Sequence, residues 1–267
     1  MERAKVDSVA VIDRAFAVLE TCAESRRTVS LADLTRLTGL PKTTLHRLCW
    51  KLEELGALEH FGDGFRIGPR LFALGAMNPT VQRLRTQAMP FLYGLSEETH
   101  LVSNLAIMED ERVLLIDEVF ADERPVPRMV GALLPLHATA LGKALLAAEP
   151  VARRKTLLGP GPLEPYTRHT IIQPEKLLAQ LAVAAKSGVA YSREEWRLGF
   201  AGVAAPILSG GRAAGAVALV GISRAADVTR FADPVARAAN GVARALHNPV
   251  IRDSRGAYWE QQTGGPE

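Results

Sequence analysis

Leucines set the first pattern in this chain. In TVSLADLTRLTGLPKTTLHRLCWKLEEL (Thr28–Leu55), Leu31, Leu34 and Leu37 form a narrow apolar stripe on one short helix. Leu45, Leu48, Leu52 and Leu55, at spacings of 3, 4 and 3, give a second helix one buried face. Ser30 is placed to N-cap the first helix, with Asp33 three residues on where a capping box wants an acid. Gly39 suits the positive φ that ends it, and Pro41 suits the first turn of the next. Upstream, Val11, Ala15, Val18, Leu19 and Cys22 give a supporting helix its core face. The outer face of the second helix carries Lys42, Thr43, Thr44, Arg47 and Lys51, with His46 among them. A helix with an aliphatic inner face and a cationic, hydroxylic outer face can enter a major groove. The same two helices would also suit an ordinary helical domain with a solvated face. The adjoining segment favours DNA: Ala57–Gly68 reads ALEHFGDGFRIG, two strand-like runs about Gly62-Asp63-Gly64. Three helices followed by a hairpin is the order of a winged helix-turn-helix, with Arg66, and His60 nearby, placed on the wing.

Beyond Gly68 the period changes. Pro69–Met77 reads as a connecting helix, Asn78-Pro79 as a break, and Thr80–Thr99 as a helix with Leu84, Ala88, Leu92 and Leu95 inward and a kink at Pro90. Strand-like runs then cover Leu101–Met108 and Val113–Phe120 about the turn Glu109-Asp110-Glu111. A polar loop, Ala121–Arg128, leads to a small-residue helix over Thr139–Ala148. Pro160–Thr170 is irregular, and Pro174–Gly188 is amphipathic. Val189–Arg193, Val203–Leu208 and Ala213–Gly221 are strands, the last two joined through Ser209-Gly210-Gly211, and Asp233–Leu246 closes with a helix. Strands interleaved with helices around hairpins indicate an α+β sheet domain. The expected organisation is a winged domain over 1–68 with a loose arm over residues 1–8, linker and dimerisation helices over 69–99, a sheet domain over 100–248, and a disordered polar tail over 249–267.

Composition narrows this little. The 267 residues are 48% hydrophobic and 23% charged with a net charge of +3, an ordinary globular balance long enough for two cores. Residues 1–70 hold 11 Lys/Arg against 10 Asp/Glu, so the first domain is nearly neutral. Its positive charge is local, with three cations, one histidine and no acid from Pro41 to Lys51. Cys22 and Cys49 belong to no CxxC or zinc-spaced set and read as buried thiols. Neither a metal nor a cofactor is expected. No apolar run approaches the ~18 residues of a membrane span, and MERAKVDSV has no signal-like apolar region, so a cytoplasmic protein without membrane partners is expected.

Several segments taken together resemble the IclR family of regulators. They are GLPKTTLHRL at Gly39–Leu48, FRIG at Phe65–Gly68, PLHATALGKALLA at Pro135–Ala147, GVAYSREEWRLGFAGVAAPI at Gly188–Ile207, and ISR at Ile222–Arg224. The resemblance spans roughly Val9–Leu246. It implies a winged helix binding double-stranded operator DNA, a dimerising linker helix, and a GAF-like C-terminal domain that binds a small effector, commonly a carboxylate metabolite. Homodimers, and dimers of dimers, are also implied. Carried over by motif, the effector contacts fall on Leu134, Ala140, Leu141, Ser192, Gly202, Ala218 and Val220. The chain departs from the pattern of members that bind small polar acids. Their late strand often carries two serines, where this one reads VALVG, and an acid and a cysteine often stand where Ser192 and Gly202 do. Ala218 and Val220 share a strand face, so an apolar wall replaces hydroxyls. The expectation is a bulkier, more hydrophobic effector, aromatic for instance, or none at all. The alternative is an effector-independent repressor or architectural protein.

Enzyme chemistry finds little support. Gly142-Lys143 fails the Walker pattern, with His137 five residues before and Ala144 after, and there is no GxSxG, HExxH or strand-borne GxGxxG. His137 reads as a structural histidine. Glu194 and Glu195, being adjacent, would point to opposite faces of a strand. In the DNA reading, Thr43, Thr44, His46 and Arg47 read bases, while Lys42 and Lys51 mainly contact phosphate and Arg66 touches the backbone or minor groove.

Overall fold

The computed structural model describes residues 2–25, 27–120, 128–222 and 227–247. It divides into two compact units, Met1–Gln82 and Arg83–Glu267, the division falling inside a helix. The expected loop Ala121–Arg128 lies almost wholly outside the described residues. So do most of the ISR motif and the polar tail from Pro249.

The first unit is three helices and a small sheet. Helix α1 (Glu2–Ser25) occupies most of the stretch expected as a loose arm, as helix continuous with the supporting one. Val18 and Cys22 of that helix are buried, whereas Val11 is exposed, so its core stripe begins a turn later than the spacing suggests. A short strand β1 (Val29–Ser30) precedes α2 (Leu31–Thr38) and α3 (Lys42–Glu54). The Asp33 amide donates to Ser30 Oγ at 3.1 Å and the Ser30 hydroxyl donates to the Asp33 carboxylate at 3.1 Å, which caps α2. Gly39 ends it at φ 68°, and Pro41 sits one position before α3 rather than in its first turn. Leu34, Leu45, Leu48, Cys49, Leu52, Leu58 and Phe65 close the core. Leu37 and Leu55, the last residues of their stripes, stay at the surface, Leu37 in the last turn of α2 and Leu55 at the C-cap of α3.

The wing is β2 (Leu58–Phe61) and β3 (Gly64–Ile67), and β1 adds to the β3 edge to give the order β1-β3-β2. That third strand is two residues long, too short to leave a period in the sequence. It explains Gly64: a Cβ there would lie 2.5 Å from the Val29 carbonyl oxygen. Helix α4 (Pro69–Ala76) follows, and α5 (Pro79–Thr99) carries the boundary between the units and runs unbroken through Pro90.

The second unit is a six-stranded antiparallel sheet covered on both faces. Its strands are β4 (Val102–Glu109), β5 (Arg112–Val119), β6 (Leu133–Pro135), β7 (Ala190–Arg193), β8 (Phe200–Ser209) and β9 (Arg212–Ile222), in the order β6-β5-β4-β9-β8-β7. The helices are α6 (Ala140–Ala148), α7 (Val151–Leu158), α8 (Pro174–Ser187) and, after a 3₁₀ turn over Val228–Phe231, α9 (Ala232–His247). α5 and α9 cover one face: Ser103 Oγ donates to the Leu92 carbonyl at 2.7 Å, and a Cβ on Gly241 of α9 would meet Phe91 of α5. α6 and α8 cover the other face, where Ala106, Ala190, Ala204, Ala216 and Ala218 pack with Ala140, Leu141 and Ala144. Small residues across the middle strands let α6 approach the sheet closely. β6 and α7 had no clear sequence signal, the first being three residues long and the second only eight, with Arg154 buried on its inner side. Among the described residues, no helix is long and apolar enough to cross a membrane.

Candidate functional site

Two arrangements can bind something. The first is the outer face of α3. Lys42, Thr43, His46, Arg47, Trp50 and Lys51 are exposed and share one half of the helix circumference, opposite Leu45, Leu48, Cys49 and Leu52; Thr44 is half-buried on the flank. Lys51 pairs with Glu54 at 2.7 Å and Arg66 with Glu59 at 2.9 Å, both at the surface. Exposed pairs of this kind are worth about 0–1 kcal/mol, so a phosphate can replace either acid at small cost. The Arg66 guanidinium also lies 4.3 Å from the centre of the Phe61 ring.

Trp50, absent from the residues expected on sequence grounds, ties the helix to the wing. Its indole lies 5.5 Å from the His60 ring at 14°, stacked, and meets Phe65 edge-on at 5.7 Å. Its Nε1–H donates to His46 Nε2 at 2.9 Å. That bond puts the His46 proton on Nδ1, so a neutral His46 presents a donor, and not an acceptor, to whatever lies against α3. An exposed tryptophan eight residues after Lys42 was the available signal. Its partner His60 becomes a partner only once the hairpin folds back.

The second arrangement lies beneath the start of α6. Strand register puts Ser192, Gly202, Val220 and Val102 in one row across β7, β8, β9 and β4. The next row on the same face is Ala190, Ala204, Ala218, Asn104 and Glu118. Thr139 caps α6, its Oγ1 accepting from the Gly142 amide at 3.1 Å and donating to the Pro135 carbonyl at 2.8 Å. The amides of Ala140 and Leu141 are first-turn donors without helical partners. Ser192 Oγ donates to the Ala138 carbonyl at 2.8 Å, which commits its proton to holding the Leu136–Thr139 segment and leaves lone pairs to accept. A Cβ on Gly202 would sit 3.2 Å from the Leu219 carbonyl oxygen, 3.3 Å from Val220 Cγ2 and 3.5 Å from the Ala140 Cβ, so there is little room directly above the glycine. Of the seven residues expected here, Ala140, Ser192, Gly202 and Val220 meet directly. Leu141 is beside Ala140, and Ala218 is one row away. Leu134 is on β6, the opposite edge strand, three strand spacings or roughly 14 Å from β9.

Next to this site is a buried ion pair. Lys143 Nζ donates to both Glu195 carboxylate oxygens, at 2.6 and 2.5 Å, and to the Tyr191 carbonyl at 3.2 Å. Burial pushes the Lys143 pKa down, and the Glu195 charge opposes the shift. Glu195 and Glu194 follow β7 in a turn, Glu194 at φ 57°, so the two-faces-of-a-strand expectation does not apply to them. His137 Nε2 lies 2.9 Å from the Glu164 carbonyl oxygen, with its ring against Tyr166. The thiols of Cys22 and Cys49 are raised by burial to about 11 and about 12, so neither is poised as a nucleophile.

Both units match models of one family. Residues 11–60 match the IclR helix-turn-helix domain, and residues 79–246 match the bacterial transcriptional regulator IclR C-terminal domain. The chain belongs to the IclR family. Its similarity extends to the transcriptional repressor IclR of Escherichia coli K12, 33% identical over 242 residues that cover 86% of this chain and 88% of that protein. It also resembles the glycerol operon regulatory protein of Streptomyces coelicolor, 32% identical over 73% of this chain and 78% of that one. Among solved structures, an IclR homologue from Microbacterium hydrocarbonoxydans complexed with 4-hydroxybenzoate superposes with a TM-score of 0.78 at 29% identity, over 89% of this chain and 99% of the other. As an IclR-family protein, this chain is a DNA-binding transcriptional regulator, with the helix-turn-helix in its first unit.

Proposed function

We propose that α3 reads an operator through the major groove, with Thr43, Thr44, His46 and Arg47 at base edges, Lys42 and Lys51 on phosphate, and Arg66 of the wing on the backbone or minor groove. One observation carries the assignment: the exposed half of α3 holds every cation of that helix and Thr43, with Thr44 on its flank, while its other half is the core of the unit. Operator affinity is modulated by a small molecule bound between the sheet and the Leu136–Leu141 segment. The apolar row Gly202–Val220 and the 4-hydroxybenzoate held by a relative support a ring-bearing effector over a two- or three-carbon acid. Phe72, Leu74 and Met77 are exposed around α4, which supports a second copy of the chain as partner and a homodimer, or dimer of dimers, as the working state. No enzymatic activity is proposed.

Footprinting on the DNA upstream of the gene tests this. Two protected half-sites about one helical turn or a multiple apart are expected from paired winged units. Protection no stronger than on random DNA at moderate salt would overturn the assignment of that operator. The tight filling above Gly202 favours one second reading, a regulator that needs no effector. In that case no ligand would change the footprint or raise the melting temperature.

A further inference from the structure

Asn104 is a polar residue in an apolar wall. It is 6% exposed, and its Oδ1 is buried with no hydrogen-bond partner among the described residues. Strand alternation fixes where it points. Ser103 turns to α5, bonding the Leu92 carbonyl, so Asn104 turns to the α6 face with Ala106, which packs among the α6 residues. There it stands in register with Ala218 on one side and Glu118 on the other. Val220 is one row along and one strand across, roughly 8 Å away by sheet geometry, about the reach of a single ring with a substituent at each end.

A buried acceptor left unpaired loses the hydrogen bond it makes to water in the unfolded chain, and a fold keeps such a group only where something repays it. We infer that the molecule held beneath α6 carries a neutral hydrogen-bond donor, a hydroxyl or amide N–H on a ring-sized apolar body, and that Asn104 Oδ1 receives it. The amide oxygen of Asn104 only accepts, as do both oxygens of a carboxylate, so a ligand carboxylate finds no partner at this end of the site, whereas a phenolic or alcoholic end does. Asn104 is thus a specificity-determining residue, outside the set that motif matching assigns.

The inference rests on the effector reading of the preceding subsection, and calorimetric titration of the full-length protein separates the two. The probes are 4-hydroxybenzoate and 4-methylbenzoate, which differ by a hydroxyl against a methyl of similar size. The wild type should bind the hydroxy acid about tenfold to a hundredfold more tightly. Asn104→Leu removes the unpaired amide at similar volume and should fold, which its melting temperature checks, with Asn104→Val as the alternative if it does not. In either variant the two probes should bind equally, the hydroxy acid more weakly and the methyl acid more tightly than before. Equal binding of both probes to the wild type, or a preference that survives the substitution, overturns the role of Asn104 and leaves effector sensing standing. Binding of neither probe by protein that still protects its operator overturns both.

Discussion

Replacing Glu195 by Gln should destabilise the second unit by several kcal/mol, and the deficit should shrink as pH rises. Lys143 is 1% exposed and Glu195 6%, and the three Lys143 N–H groups are all used, two on Glu195 and one on the Tyr191 carbonyl. Removing one partner of such a pair leaves an uncompensated buried charge, which costs about 3–5 kcal/mol. In urea that is a midpoint lower by on the order of 1–2 M. The pH dependence follows from Lys143, whose pKa burial already lowers against the pull of Glu195. Between the lowered folded pKa and the ordinary unfolded one, the unfolded state binds more protons, so stability rises with pH. Glu195→Gln removes the opposing charge, lowers the folded pKa further and widens that window downward. The deficit should therefore be largest near neutrality and fall toward about pH 10. Urea titrations of wild type and variant across that range, followed by far-UV circular dichroism, measure it. A neutral-pH deficit below about 1 kcal/mol, or one constant with pH, would refute the reasoning by showing that water reaches the pair. The double variant Lys143→Met/Glu195→Leu should be near neutral or more stable by about 1–4 kcal/mol, because it also removes the desolvation cost.

Arg47→Ala should weaken operator binding by about 1–3 kcal/mol and relax preference at one base pair, read by competition with single-substituted operators; an equal loss on random DNA would mark Arg47 as a phosphate contact. Trp50→Ala should weaken binding roughly tenfold by releasing the wing from α3, whereas Trp50→Phe, which keeps an aromatic face against His60, should keep most of the affinity in the same assay. Gly142→Ala should prevent α6 from seating, since the added Cβ would lie 2.3 Å from the Leu136 carbonyl oxygen, and should lower the melting temperature far more than Gly39→Ala. The latter meets nothing within 4 Å and costs only the left-handed φ, about 1–2 kcal/mol.

Much of the winged unit is written in local pattern. The Ser30 cap, the Gly39 stop, the leucine faces of α2 and α3 and the two-residue wing turn each depend on residues within a few positions of one another. The same holds for most strands of the second unit and for α8 with its Gly188 end. Where the pattern misled, the cause was also local. Leu37 and Leu55 keep their spacing but fall at the ends of their helices and stay exposed, and β1 and β6 are too short to show a period at all.

The family, the longer elements and the charged face of α3 were thus legible along the chain, since helical and strand periods and the caps that bound them are properties of neighbouring residues. What those faces meet was settled only by folding. Lys143 and Glu195 lie 52 positions apart, and Trp50 reaches His60 only across a folded hairpin. Asn104 gained its place beside Ala218 and Glu118 from strand order and register. A register shift of one residue would turn Asn104 to the opposite face, and no local pattern in β4 specifies which partner strand lies beside it.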